Sequence, residues 1–309
     1  MRGLPLRAVA LLVVSLAACR SPGGSPTALP LKDDAGTQVR LGYTPRRIVS
    51  LNPTTTELLF TIGAGFRLVG RSGACDYPPA AALVTDLGDG FPPVVEAVVA
   101  TRPDLVVLYH SAGNASAAER LRELGIPVLR LRTDRLADVG RAARLLGHAT
   151  GAPRAGDSVA TRLEAELARE RATAGRATAG RREAGGIPVL LLAWDQPVIA
   201  LGAGSYASEL VELAGGRNVF ADVAAPSVPV TLEAIAAREP AVVILAGSEM
   251  PGLERRPEWR TIRAVRQGRV VRLTESSSNR PSPRAPQAVR SLRARLASLT
   301  AQTLSGDPR

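Results

Sequence analysis

The residues able to do chemistry are few and scattered. The chain has two histidines and two cysteines. His110 and His148 are far apart, and no His/Cys/Asp/Glu cluster has the spacing of a zinc or manganese site. Cys75 with His110 could form a thiol nucleophile and its base, but nothing in their spacing supports that pairing, and a lone buried thiol fits Cys75 better. Gly63-Ala64-Gly65 and Gly202-Ala203-Gly204 lack the third glycine and the lysine of phosphate-binding loops. The stretch GAGSYA at 202–207 has no glycine where a nucleophile elbow needs one. This pattern points to binding rather than turnover.

Two glutamates stand apart because each begins a copy of one short unit. Val95 to Leu108 reads VEAVVATRPDLVVL, and Leu232 to Leu245 reads LEAIAAREPAVVIL. In each copy a short amphipathic helix starts at Glu96 or Glu233, stops before a proline and runs into an apolar strand. The match extends in both directions. TTTELL (54–59) before Gly63 corresponds to SYASELV (205–211) before Gly215-Gly216. LGIPVLRL (124–131) corresponds to QGRVVRL (267–273). Three matches in the same order predict two similar lobes related by a pseudo-two-fold axis, with a cleft between them.

The elements that position these residues follow from the periodicity. Short apolar runs at Ile48 to Leu51, Leu68 to Gly70, Leu105 to Leu108 and Val128 to Leu131 alternate with helical segments. Such alternation predicts a parallel sheet covered by helices in the first lobe, residues 45–152. Residues 153–186 lack a strand. Val159, Leu163 and Leu167 form one narrow apolar stripe, predicting a single long helix that joins the lobes. The duplicated ATAGR at 172–176 and 177–181 is expected to fray, because Gly175 and Gly180 each cost about 1 kcal/mol relative to Ala in a helix. The second lobe, 187–300, runs from PVLLLAW through VVIL and VVRL to a last helix. Residues 301–309 read as a tail. The fold class is therefore α/β, two similar lobes with parallel sheets joined by one long helix.

The N-terminus reads as an export signal. Arg2 and Arg7 precede an apolar run, Ala8 to Leu16, too short to span a bilayer, and LAAC follows at 16–19. This resembles the lipobox of bacterial lipoproteins, which implies cleavage after residue 18 and acylation of Cys19. Removing Arg2 and Arg7 takes the formal charge from +11 to +9. Cys75 would then have no disulfide partner. Residues 19–44, rich in small and polar types, read as a flexible tether. The body would be exported and lipid-anchored, in the periplasm or on the extracellular face. Lys32 is the single lysine, so nearly all the positive charge is arginine. Those arginines are scattered and aromatics make up 3% of the chain, which argues against nucleic-acid binding.

Four segments in order, RRIVSLNPTTTEL (46–58), CDYPP (75–79), RPDLVV (102–107) and RPSPR (280–284), resemble the periplasmic binding proteins for cobalamin and ferric siderophores that feed ABC importers. The CDYPP element and the long connection favour the cobalamin branch. The resemblance covers residues 45–300. It implies two α/β lobes bridged by a rigid helix, a corrinoid held in the cleft as cargo and no resident cofactor or metal. A ferric siderophore or haem is the alternative cargo, and an exported hydrolase on the same scaffold is a third reading. The implied partners are an ABC permease, the large chelate itself and the membrane through the lipid anchor, with the receptor a monomer. The resemblance also implies that Glu96 and Glu233 dock onto permease arginines. Glutamate in a first helical turn also suits the helix dipole, and both readings stand.

The ligand contacts implied are Thr54, Tyr77, Phe91, Tyr109, Trp194, Tyr206 and Arg280. All lie near strand ends or loops, where parallel sheets bind ligands. Trp194, before Asp195-Gln196-Pro197, is the strongest single candidate. Tyr77, Phe91 and Tyr206 suit lobe packing equally. Arg280 suits either a ligand amide or a structural ion pair. One of Thr54, Thr55 and Thr56 is expected to cap the following helix. Ala74 and Ser276 to Ser278 stand where the family carries bulky aromatics.

Overall fold

The structure, a computed structural model, describes residues 30–179, 186–246, 250, 252–274 and 276–304. The export signal, Cys19 and Gly180 lie outside the described residues.

The chain begins with a small hairpin, β1 (Leu31–Lys32) and β2 (Gln38–Val39). The first lobe follows: β3 (Ile48–Ser50), α1 (Pro53–Thr61), β4 (Leu68–Arg71), α2 (Val95–Ala100), β5 (Leu105–Tyr109), α3 (Ala115–Glu123), β6 (Val128–Leu131) and α4 (Leu136–Ala149). Helix α5 (Pro153–Ala179) leads out of it. The second lobe contains β7 (Ile187–Asp195), β8 (Val198–Leu201), α6 (Tyr206–Leu213), β9 (Gly216–Asn218), β10 (Ser227–Pro229), α7 (Leu232–Ala236), β11 (Val242–Leu245), α8 (Arg263–Arg266), β12 (Val270–Arg272), α9 (Ser276–Asn279) and α10 (Ala285–Leu304).

The first sheet has strand order β4-β3-β5-β6, all parallel. In the second, β9-β7-β11-β12 repeats that parallel order, and β8 and β10 extend it antiparallel beyond β7. Helices cover both faces of the central strands, so LVVL and VVIL are apolar without alternation and fully buried.

The sequence repeat becomes a structural one. Val98 on α2 and Ile235 on α7 are both fully buried. Each helix is followed by a residue in the left-handed region, Arg102 at φ 48° and Glu239 at φ 45°. A proline comes next in both copies. The pairing of a left-handed residue with proline stops the helix and aims the chain into the sheet.

Helix α5 is 27 residues long, so it reaches about 40 Å at 1.5 Å per residue. Ala160, Leu163 and Leu167 form its buried stripe. The helix continues through Gly175 to Ala179 rather than fraying there. Packing along the earlier turns outweighs the modest cost of one glycine.

The N-terminal segment also differs from expectation. Residues 30–41, read as tether, are folded against the first lobe. Asp33 is buried and is the reason. One carboxylate oxygen accepts the backbone N–H of Ala35 at 3.0 Å and of Thr37 at 2.8 Å, closing the turn. The other accepts from Arg130 N at 3.1 Å and Arg122 at 3.3 Å. Asp34 next to it pairs with Arg141 at 2.5 Å. At the other end α10 runs to Leu304, four residues further than expected.

The interlobe cleft as candidate functional site

The carboxyl ends of the parallel strands in the two lobes face each other across a cleft of about 900 Å³. The first lobe contributes Tyr109 at the end of β5, the loop after β6 with Arg132, Asp134 and Arg135, and Asp138 in the first turn of α4. The second contributes Ala193 on β7, Gly204 to Ala207 at the start of α6, and Ser278 to Pro281 after α9.

The polar groups are tied to one another. The Tyr109 hydroxyl donates to Asp134 at 2.6 Å. Burial, and then that carboxylate, push the phenol up to about 12, so it stays a protonated donor. Arg135 pairs with Glu209 at 2.9 Å, and Arg132 lies 4.0 Å from Asp134. Arg280 pairs with Asp76 across the lobes. Every guanidinium in the cleft wall therefore has a carboxylate partner.

Of the residues expected from sequence, Tyr109, Tyr206 and Arg280 line the cavity. Tyr206 is buried, with its ring in the wall and its hydroxyl donating to Ser277 O at 2.6 Å. Burial raises its phenol well above the ordinary range. Phe91, 56% exposed, sits 6.4 Å from the Tyr109 ring. Tyr77, 36% exposed, lies under the Arg284 guanidinium at 3.5 Å from its ring centre. Both are attached to the site through neighbours.

Thr54 and Trp194 are placed differently. Thr54 is 2% exposed, and its hydroxyl donates to Pro281 O of the other lobe at 2.7 Å. It stitches the lobes together behind the cleft. The cap of α1 is not a threonine but Asn52, whose side chain accepts from Thr54 N. Trp194 is outside the cavity wall. A bulge lies between the pairs Leu192–Ala200 and Trp194–Ile199. Ala193 lines the cleft there, while Trp194 is 42% exposed with its indole N–H bonded to Gln196 O at 2.7 Å. Bulges re-aim side chains in this way.

A family model described as periplasmic binding protein matches residues 48–276. The chain belongs to that family. It is 28% identical over 244 residues to the vitamin B12-binding protein of Vibrio parahaemolyticus serotype O3:K6, covering 79% of this chain and 86% of the relative. It is 28% identical over 299 residues to the uncharacterized ABC transporter substrate-binding lipoprotein YvrC of Bacillus subtilis strain 168, covering 92% and 94%. Among solved structures, the periplasmic vitamin B12 binding protein BtuF of Vibrio cholerae aligns with a TM-score of 0.67 at 28% identity, covering 83% of this chain and 98% of that one. Periplasmic haem-binding proteins share the fold at 25% and 23% identity.

The remaining residues singled out from the sequence lie outside the cavity wall. Glu96 and Glu233 are both exposed in the first turns of α2 and α7, and among the described residues neither has an ion-pair partner. Glu233 is held below the usual carboxylate range by its own backbone N–H and then by the Thr231 hydroxyl. The thiol of Cys75 is buried among hydroxyls, Thr56 at 3.1 Å and Ser72 at 3.2 Å, rather than beside His110. Among the described residues, no three His, Cys, Asp or Glu side chains gather as metal ligands, and no helix is long and apolar enough to cross a membrane.

Sequence reasoning missed the charged loop after β6 and two glutamates, Glu57 on α1 and Glu209 on α6. The signal for the glutamates was present. They occupy the same place in the duplicated segments TTTELL and SYASELV.

Proposed function

We propose that this protein is the solute receptor of an ABC importer and captures a corrinoid of the cobalamin type in its interlobe cleft. The observation that carries this reading is the internally balanced charge of the cleft wall, Arg135 with Glu209, Arg280 with Asp76 and Arg132 near Asp134, which also accepts from the neutral Tyr109 hydroxyl. Paired charges of this kind offer donors and acceptors to a large, neutral, amide-bearing ligand. They leave no uncompensated guanidinium to hold the carboxylates of a haem or an acidic siderophore. The vitamin B12-binding relatives agree with that choice.

Ligand contact is assigned first to Tyr109, Tyr206 and Arg280. Phe91 and Tyr77 supply aromatic surface at the rim. Trp194 would meet only parts of a ligand that project beyond the cavity, and Thr54 acts indirectly through the lobe junction. The cleft of about 900 Å³ is at the upper end of ordinary ligand pockets, roughly 300–1,000 Å³. The two faces are preformed, so little ordering cost opposes binding.

Delivery rests on Glu96 and Glu233, exposed at matching points of the two lobes, which suit a permease surface bearing paired cations. The LAAC motif supports lipid anchoring at Cys19 after export. The protein performs no chemistry in this reading; the buried Cys75 thiol lacks an imidazole, which disfavours the hydrolase. Calorimetric titration with cyanocobalamin and, in parallel, with haemin tests the assignment. Saturable 1:1 binding of cyanocobalamin alone supports it, and preference for haemin overturns it.

A further inference from the structure

Glu57 and Glu209 are not accounted for by ligand contact or by docking. Glu57 is 1% exposed on α1 of the first lobe. Its carboxylate reaches into the second lobe, accepting from Ser282 Oγ at 2.9 Å and from Arg284 Nε at 2.6 Å. Arg284 Nη2 adds a bond of 3.2 Å to its other oxygen. The guanidinium so fixed then returns to the first lobe, stacking at 3.5 Å on the ring of Tyr77.

Glu209 makes the reciprocal connection. It lies on α6 of the second lobe and reaches into the first. One oxygen accepts the backbone N–H of Leu136, the first residue of α4, at 2.8 Å. The other pairs with Arg135 at 2.9 Å, in the cleft wall. Each glutamate is followed by two apolar residues of its helix, Leu58-Leu59 and Leu210-Val211, all buried. Each therefore holds the entry to the opposite lobe's final helix, α10 or α4. For Glu57, a buried carboxylate without these partners would be strongly destabilising, so its geometry is tightly specified; Glu209 is partly buried.

We propose that Glu57 and Glu209 are crossed positioning residues: each sets a group at the cleft, Tyr77 at its rim or Arg135 in its wall, through an arginine of the lobe opposite its own. Glu57 orients Tyr77 through Arg284, and Glu209 orients Arg135 and the loop carrying Asp134. This rests on the cleft being the ligand site. A merely structural role would weaken folding but would not couple either glutamate to a particular cleft residue.

The test is a pair of double-mutant cycles on the full mature chain, with cyanocobalamin affinity as the readout. E57Q is expected to weaken binding about tenfold in the wild-type background and less than about threefold when Tyr77 is already alanine. E209Q is expected to behave the same way toward R135A. Additive losses in both cycles would overturn the proposal. Should E57Q fail to fold, the Glu209 cycle decides alone. If the wild-type chain does not bind cyanocobalamin, the corrinoid reading fails by itself. The positioning role is then decided by amide exchange without ligand. Faster exchange at Asp76 and Tyr77 in E57Q and at 133–136 in E209Q supports it, and unchanged exchange at both refutes it.

Discussion

The two lobes share one parallel core but fasten to the connecting helix by different physics. The first lobe interlocks with α5 sterically. Gly147 on α4 and Gly156 on α5 meet backbone to backbone, and a Cβ on Gly156 would lie 2.5 Å from Ala143 O. The second lobe adds a buried ion cluster to its apolar contact with α5, whereas the first lobe's ion pair to that helix, Arg144 with Glu164 at 2.7 Å, is half exposed. Glu170 on α5, buried, pairs with Arg293 of α10 at 2.6 Å and Arg290 at 3.0 Å. A close-packed junction is indifferent to pH and salt, whereas an ion cluster is not. The buried part of the first junction is thus steric, and that of the second is partly ionic and responsive to pH.

The cleft walls differ in the same spirit. The first lobe passes from β3 to α1 through Leu51 and Asn52 alone and presents charged side chains. The second inserts a hairpin before α6 and presents small residues and backbone beside Tyr206 and Arg280. Gly202 and Gly204 are required there, because a Cβ on either would lie 2.3 Å from Ala225 O or 2.5 Å from Ala224 O. Duplication supplied the scaffold, and the insertion made the two faces unlike.

The largest expected effect tests what the lobes have in common. Charge reversal at both docking positions, E96R with E233R, is expected to abolish uptake while cyanocobalamin affinity stays unchanged. Uptake equal to wild type would remove the docking role. Next comes the steric junction. G156V is expected to cost about 3 kcal/mol or more in denaturant unfolding, because the facing atoms are backbone and cannot move aside. A loss below about 1 kcal/mol would show that the junction is not close-packed.

The ionic junction gives a smaller effect with a pH signature. Burial opposes the charge on Glu170, but Arg293 and Arg290 prevail, so the carboxyl titrates below its ordinary 4.5. Its contribution is complete above that value and drains away as pH falls through the lower folded pKa. E170Q is expected to lose about 1–2 kcal/mol at pH 7, converging with wild type in acid. A pH-independent difference would contradict the assignment. The smallest effect has the opposite sign. A Cβ on Gly175 would meet open space, so G175A is expected to stabilise by about 0.5–1 kcal/mol. Destabilisation there would mean the helix end is held by close backbone contact.

How much of this was legible follows from the range of the forces involved. The repeated unit was visible because its helix, proline stop and apolar strand are local, down to the shared left-handed turn at Arg102 and Glu239. Helix α5 was visible from an apolar stripe, Val159, Leu163 and Leu167, four residues apart. The β1–β2 hairpin was not, because its strands are two residues each and its anchor is the Asp33 carboxylate bonding to residues some 90 positions away. The position of Trp194 outside the cavity wall was not legible, because one bulge changes which side chain reaches the cleft. The reach of Glu57 to Arg284, 227 residues along the chain, depends wholly on tertiary placement.

Equilibrium titration of the mature protein with cyanocobalamin, repeated on a variant carrying Y109A and R280A, tests the central claim most directly. The account predicts saturable 1:1 binding that the double substitution weakens by about a hundredfold or more. Absent binding by the wild type, or equal binding by the variant, would place the ligand somewhere other than the interlobe cleft.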